Sequence, residues 1–269
     1  MQVENNTFLF KEAEKQLFHY GRNSTFASLT PKVIELEMQA SKSFKELHIY
    51  NISQDGLEYF VRNYGATYKV LYLDDCAKIK DFSPLCDLTN LEAICIERCR
   101  GIGELWDLSK NTRLKVLSIR GAKRIIKNPL QLRLSNTLEE IRLWSEAIGG
   151  KYVMDSMDCF TGMRSLRRID LNGILLHDHC MDMLSTLSNL EEFHFDAGML
   201  KTEEIAWICA KYPNIYGQSL AAYTTHDPMS PERIRICGQN KPSLHMPNDK
   251  KRIERYIEQF NTLIEKYKE

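Results

Sequence analysis

The chain lacks several features that would point to a common class of function. Its 269 residues contain 36 Lys plus Arg and 36 Asp plus Glu, so no net charge steers it towards nucleic acid or an anionic membrane. No uncharged apolar run approaches the roughly 18 residues needed to cross a bilayer, and the N-terminus carries no basic stretch followed by an apolar one. We therefore expect a soluble protein with neither a nucleic-acid nor a membrane partner.

Cysteine and glycine are also arranged without the patterns of common sites. The eight cysteines are scattered and include no CxxC pair, which favours reduced thiols over a disulfide scaffold or a zinc cluster. Reduced thiols in turn favour a cytoplasmic location. Two close glycine pairs, Gly101 with Gly103 and Gly149 with Gly150, lack the further glycine, lysine or hydroxyl residue of a phosphate-binding loop. The sequence therefore predicts no cofactor.

A repeat is present instead. The pattern apolar-x-x-apolar-x-apolar occurs seven times, with starts separated by 24, 23, 23, 24, 28 and 24 residues. The seven matches are Phe44/Leu47/Ile49, Tyr68/Leu71/Leu73, Leu91/Ile94/Ile96, Leu114/Leu117/Ile119, Leu138/Ile141/Leu143, Leu166/Ile169/Leu171 and Leu190/Phe193/Phe195. Because the fourth and sixth residues of each match alternate, they predict a short strand with two inward side chains.

At these residues, over positions 44 to 214, the chain resembles the leucine-rich repeat family. The family's Asn or Cys at the ninth repeat position is kept only as Cys76 and Cys99, so a weaker side-chain ladder is expected there. The resemblance implies an α/β solenoid with a curved parallel sheet on its concave side, helices and short turns on its convex side, and terminal caps.

Apolar spacing between the strands predicts the convex elements. Helices are expected over 55–64, 154–160, 180–187 and 203–211, and only turns over 82–88 and 104–108. The convex side should therefore be helical at both ends and tighter in the middle.

The two ends of the chain differ from the repeats. Residues 1–43 are interpreted as an N-terminal cap with a helix over 11–20 and a strand over 33–36, and residues 44–214 as the repeats. Residues 215–269 are interpreted as a C-terminal strand-loop-helix cap.

Within the C-terminal cap, alternation predicts a strand over 233–238, after a surface loop over 223–230. An apolar stripe from Ile253 to Tyr267 predicts a helix capped by Asn248 or Asp249. That stripe either docks onto the last repeat or binds a partner.

The outward strand positions form the predicted binding face. Tyrosine, tryptophan and arginine on an uncovered sheet are the residue types that dominate interface hot spots. The nine candidate site residues are Tyr50, Tyr72, Asp74, Glu97, Arg120, Arg142, Trp144, Arg168 and Asp170. Arginines group in repeats four to six and acids lie towards the ends, which would match a partner with an acidic centre and a basic rim.

Two alternatives compete with a binding role. His177, His179 and Cys180 are the densest possible metal or enzyme centre, although typical zinc sites need three or four converging ligands. Cys95 is the one cysteine at a central outward position, but strand spacing puts the histidines of that column roughly 10 and 19 Å away. The second alternative is a structural protein that self-associates through Trp144.

The sequence thus favours a non-enzymatic, monomeric module for protein–protein recognition that binds its partner through the concave sheet. The array with its strand-helix tail is similar to solitary bacterial leucine-rich repeat proteins. That similarity implies a role as an inhibitor, an immunity protein or an adaptor.

Overall fold

The computed structural model describes Lys32, Ile34, Glu35 and residues 46–146, 150–225 and 230–269. The helix predicted over 11–20 lies outside these residues. Lys32, Ile34 and Glu35 are helical, so the strand predicted over 33–36 is wrong at its two described positions. Among the described helices, none is both long and apolar enough to span a membrane.

Seven parallel strands form an open sheet in which all neighbours along the sheet are consecutive repeats. They are β1 (Glu46–Tyr50), β2 (Val70–Asp74), β3 (Ala93–Glu97), β4 (Val116–Arg120), β5 (Glu140–Trp144), β7 (Arg168–Asn172) and β9 (Glu192–Phe195). Leu47 pairs with Leu71, Leu71 with Ile94 and Ile94 with Leu117, which is the register of the sequence repeat. The predicted strands and their order are confirmed.

The core lies directly behind this sheet. At the fourth repeat position, Leu71, Leu117 and Ile141 are completely buried. At the sixth position, Leu73 and Ile119 are also completely buried. Since successive strand residues face opposite sides, burying these positions turns the residues between them onto the other face.

The convex side begins and ends with a helix. α1 (Gln54–Tyr64) starts after Ser53, whose Oγ accepts a hydrogen bond from the Gly56 amide, and α3 (Thr202–Lys211) follows β9. Between them lie the short α2 (Lys123–Lys127) and a series of 3₁₀ turns. The turns are Gly65–Thr67, Ser83–Asp87, Leu108–Lys110, Leu130–Leu134, Met157–Phe160 and Asp182–Thr186. The helices predicted over 55–64 and 203–211 are confirmed.

The helices predicted over 154–160 and 180–187 are wrong. The first region contains the end of β6 (Tyr152–Met154), which pairs in parallel with β8 (Ile174–Leu176) in a separate small sheet. Only the 3₁₀ turn Met157–Phe160 follows it, and the second region keeps only Asp182–Thr186.

The large sheet extends past the last predicted repeat. Tyr216 forms an isolated parallel bridge with Glu192, and the Phe193 amide donates to the Tyr216 carbonyl at 2.8 Å. The next residue has to be glycine, because a Cβ on Gly217 would lie 2.1 Å from the Phe193 carbonyl oxygen. Gly217 and the buried Ser219 stand where the earlier repeats have their inward apolar pair. The apolar repeat pattern therefore could not be followed beyond residue 214.

The C-terminal region is a small antiparallel sheet with a long helix. β10 (Tyr223–Thr224), β11 (Arg233–Ile236) and β12 (Ser243–His245) form the sheet, and α4 is Lys250–Lys268. The strand predicted from 233 is confirmed, whereas Tyr223 and Thr224 are not loop. Residues 226–229 of that predicted loop are outside the described residues.

The apolar stripe of α4 is used in two places. Ile253 is buried against the small sheet, and Phe260 is buried in the main core where α4 packs on α3. Asp249 holds the N-cap position, but the predicted side-chain cap is wrong. Its carboxylate instead accepts from the His245 amide at 3.1 Å and pairs with Arg252 at 2.8 Å.

Candidate functional site on the open sheet

The outward side chains of the strands form three columns across the sheet. Strand pairing gives their membership residue by residue. The first column runs through Val70, Ala93, Val116, Glu140, Arg168 and Glu192, and the backbone position of Glu46 pairs with Val70 at its start. The second is His48, Tyr72, Cys95, Ser118, Arg142, Asp170 and His194, and the third is Tyr50, Asp74, Glu97, Arg120, Trp144 and Asn172. All nine predicted site residues occupy these columns.

Part of this face is buried. Val70, Ala93, Cys95 and Val116 are each at most 6% exposed and form an apolar cluster against Tyr72. The expectation of an open row of side chains is therefore wrong at these four positions. Burial also raises the pKa of the Cys95 thiol to about 12, which keeps it protonated and poorly nucleophilic at neutral pH.

An ion-pair network lies over β2 and β3. The guanidinium of Arg98 donates to Asp74 Oδ2 at 2.6 Å and to Glu97 Oε1 at 2.7 Å, and the Tyr72 hydroxyl donates to Glu97 Oε2 at 2.6 Å. Burial, the largest cause, raises the pKa of Tyr72, and the bond to Glu97 adds to the shift. Asp74 and Glu97 are thus internal acceptors, each less than one-tenth exposed.

Arg98 was missed in the sequence because it follows its strand rather than standing in a column. Its backbone has a φ of +55°, in the left-handed region, which turns the chain just after β3. The turn brings its side chain back over the face. The same bend recurs at Asn51 and Asp75, and the Asp75 carboxylate accepts a hydrogen bond from the Tyr50 hydroxyl at 2.9 Å.

A second network surrounds a buried glutamate. Glu140 is 2% exposed, and its Oε1 lies 2.5 Å from Arg142 Nε and 3.7 Å from Arg168 Nε. Arg168 Nη1 also lies 2.9 Å from Glu192 Oε2. The same oxygen of Glu192 lies 2.8 Å from His194 Nε2. Two of the arginines that the sequence groups at the centre of the face, Arg142 and Arg168, are therefore matched by carboxylates of the same face.

Trp144 joins the two networks. Its indole Nε1 donates to Asp170 Oδ1 at 3.1 Å, which fixes the ring on the sheet. The Arg120 guanidinium carbon lies 6.0 Å from the ring centroid, within cation–π range, and the Arg120 side chain is 37% exposed. Arg120 and Trp144 are therefore both ordered and reachable from solvent.

A cavity of about 320 Å³ opens beside this pair, at the carboxyl ends of β4, β5 and β7. We call it the notch. Its walls are formed by Arg120, Trp144, Ser145, Glu146, Gly150, Lys151, Asn172 and Gly173. Lys151 follows the repeat strand by several residues, so the strand pattern gave no reason to include it.

One large exposed aromatic lies at the far edge of the sheet. Tyr216 is 62% exposed and meets the ring of His194 edge-on, with centroids 5.8 Å apart. It continues the first column beyond Glu192. The sequence missed it because the apolar repeat pattern ends before it.

The alternative centre at His177, His179 and Cys180 has a different arrangement. His177 and Cys180 are exposed, whereas His179 Nδ1 lies 2.9 Å from Glu204 Oε2 and its Nε2 lies 3.3 Å from Gln239 Nε2. Both ring nitrogens of His179 thus face partners within the protein. Over the described parts of the chain, no three His, Cys, Asp or Glu side chains are grouped so as to hold a metal ion.

Seven in-register parallel strands, repeating every 23 to 28 residues, define a leucine-rich repeat fold. The inward apolar pair is buried in six of them, and in β1 the buried Ile49 is accompanied by the partly buried Leu47. Proteins of this architecture commonly use the concave surface to bind other proteins. No protein-family model and no curated protein sequence matches the chain.

Solved structures that are similar to the chain at low identity include the following two. Internalin C2 of Listeria monocytogenes is 14% identical, with 68% of this chain and 92% of that chain covered and a TM-score of 0.32. A chain from the octameric complex of Latrophilin 3, Unc5D and FLRT2, which includes a leucine-rich repeat component, is 14% identical over 75% of each chain, with a TM-score of 0.30. The fold assignment rests on the chain's own strand register.

Proposed function

We propose that this protein is a non-enzymatic, monomeric recognition module that binds a partner protein through its concave sheet. The observation that carries the proposal is the pairing of Trp144 and Arg120, both held in place on the face and both reachable from solvent. Tyrosine, tryptophan and arginine supply most of the affinity at protein interfaces. An inhibitor, an immunity protein or an adaptor would each use such a surface.

The ion-pair networks favour binding because they order the face in advance. A side chain that is already fixed loses less conformational freedom when a partner docks, which is worth about 0.5–1.5 kcal/mol per side chain. Arg98, Arg142 and Arg168 are held by carboxylates of the face itself. A partner would therefore meet a pre-formed surface.

The nine candidate residues divide by accessibility. In this proposal the solvent-reachable Tyr50, Arg120, Trp144 and Arg168 touch the partner. The other five residues hold them in place. Asp74 and Glu97 are buried, the side chains of Arg142 and Asp170 are 13% and 15% exposed, and the Tyr72 hydroxyl is bonded to Glu97. Tyr216 adds a contact at the edge of the sheet.

The test is capture of binding proteins from lysate of the cells that express the chain, with concave and convex variants compared. Trp144→Ala and Tyr216→Ala should each weaken capture of the same partner about 30-fold, because truncating a hot spot costs about 2 kcal/mol. Leu134→Ala is the control, since Leu134 is an exposed apolar residue, 45% exposed, in the turn Leu130–Leu134 outside the sheet. Circular dichroism establishes that each variant is folded.

Three outcomes would contradict the proposal. The first is unchanged capture by both concave variants, and the second is an equal loss with Leu134→Ala. The third is a mass that rises with concentration in light scattering and falls back to a monomer in Trp144→Ala, because that result would assign the face to self-association.

A further inference from the structure

We propose that the notch receives a carboxylate side chain, Asp or Glu, presented by the partner protein. This proposal rests on the proposed function and specifies the chemistry of one contact in it. It follows from the charges that line the notch and from the contacts that those charges already make.

Two cations of the notch are only weakly matched. The Arg120 guanidinium has one carboxylate neighbour among the described residues, Glu97, at 3.6 Å. That distance is longer than a hydrogen bond. Lys151 is exposed and makes no hydrogen bond or ion pair with any described residue.

The carboxylates near these cations already have better donors. Glu146 accepts two hydrogen bonds from Arg100, at 2.6 and 2.8 Å. Glu97 is held by Arg98 and Tyr72, as described above, and Asp170 accepts from Trp144. The residues around the notch therefore leave Arg120 and Lys151 with unused capacity to bind an anion.

The neutral walls suit a carboxylate as well. Asn172 is exposed and its side-chain amide, a potential donor, is not bonded to any described residue. Gly173 has a φ of +67°, and a Cβ there would lie 1.8 Å from Ser145 Oγ, so this wall is backbone. A guanidinium, an ammonium and an amide around one opening can give charge-assisted hydrogen bonds to a planar anion.

The size of the notch indicates how much of a partner enters it. A volume of about 320 Å³ accommodates a side chain and its adjoining backbone rather than a folded element. The notch lies beside Arg120 and Trp144 of the third column, at the carboxyl ends of their strands. A protein lying across the concave face would therefore pass over it. An acidic side chain of that protein is the occupant that the charge pattern favours.

The test is a ¹H–¹⁵N titration that follows the indole N–H of Trp144. N-acetyl-glutamate N-methylamide is the probe, and N-acetyl-glutamine N-methylamide at equal ionic strength is its neutral counterpart. Trp144→Phe identifies the resonance, and the buried Trp106 serves as an internal reference. We expect a saturating shift of the Trp144 signal with the glutamate probe and none with the glutamine probe.

Variants then assign the shift to the two cations. Arg120→Gln and Lys151→Gln should each weaken the apparent affinity about tenfold, since a hydrogen bond to a charged group is lost. Arg113 is an exposed arginine outside the notch, so Arg113→Gln should leave the apparent affinity for the glutamate probe unchanged. Because Lys151 is exposed, its variant keeps the test valid even if Arg120→Gln fails to fold.

The proposal is overturned if the Trp144 signal does not move, if both probes move it equally, or if Lys151→Gln binds like the unaltered protein. It is also overturned if free glutarate binds more than about tenfold tighter than the capped residue, since that would indicate a small-molecule site. Loss of the probe effect with capture still sensitive to Tyr216→Ala would reject the notch alone. A retained probe effect with capture that is insensitive to Tyr216→Ala would instead reject partner binding across the face.

Discussion

Removing the buried carboxylate of Glu140 should destabilise the protein far more than removing an exposed one. Glu140 is 2% exposed and binds Arg142, whose side chain is 13% exposed, with Arg168 close by at 24%. Breaking a fully buried ion pair costs about 3–5 kcal/mol, because the remaining charge has no counterion. The partial exposure of both arginines and the other contact of Arg168 reduce this, so we expect Glu140→Ala to lower the free energy of unfolding by about 2–3 kcal/mol.

The chain provides a control with the same chemistry. Glu191 forms a bidentate pair with Arg167, but the two side chains are 47% and 39% exposed. Glu191→Ala should therefore cost less than about 1 kcal/mol. Urea unfolding followed by both tryptophan fluorescence and far-UV circular dichroism measures the two changes, and coincident transitions support a two-state treatment. Equal losses, or a larger loss for Glu191→Ala, would refute the reasoning.

Two further predictions concern buried positions. Gly217→Ala should separate the last bridge of the sheet, because its Cβ would clash with the Phe193 carbonyl, and faster hydrogen exchange of the Phe193 amide measures this; unchanged exchange would contradict it. Burial raises the pKa of the Cys95 thiol to about 12. The contribution of the protonated thiol to the free energy of unfolding is therefore fully present below the unfolded-state pKa of about 8.5, and it is lost as the pH rises through about 12. Cys95→Ala should therefore flatten the decline of unfolding free energy between about pH 9 and 12, and an unchanged slope would disagree.

The sheet could be predicted because its determinants are local and repeated. Each strand needs two inward apolar side chains three and five residues after a first, and seven such sets agree on one spacing. Once Leu47 pairs with Leu71, the register of every outward residue follows from the alternation of side chains. The columns that contain the nine candidate site residues were therefore accessible from the sequence.

The convex elements were predicted less well. Apolar spacing over 154–160 fits a helix, but Met154 belongs to β6, whose partner β8 lies in the next repeat. Pairing between repeats decides that choice, and periodicity within one segment cannot detect it. The same limit applies to Tyr216, whose place in the sheet depends on a glycine and a serine where the pattern expects apolar residues.

A buried polar contact shows the same distinction. Asn111 is completely buried, accepts from the Trp106 indole at 2.6 Å and donates to the carbonyls of Leu85 and Leu88 at 2.9 and 3.1 Å. Nothing in its sequence neighbourhood separates it from the exposed asparagines. The two carbonyls that it binds belong to the preceding repeat, 26 and 23 residues away.

The sequence by itself determined the repeat, the strand register and which side chains face outward, because side-chain alternation is a property of consecutive residues. Only the tertiary structure decided which of those outward residues a partner can reach. Val70 and Cys95 became buried, Glu140 became the centre of an ion-pair network, and Arg98 turned back over the face. Burial and charge pairing depend on residues one repeat or more apart, so they are settled only when the strands are side by side.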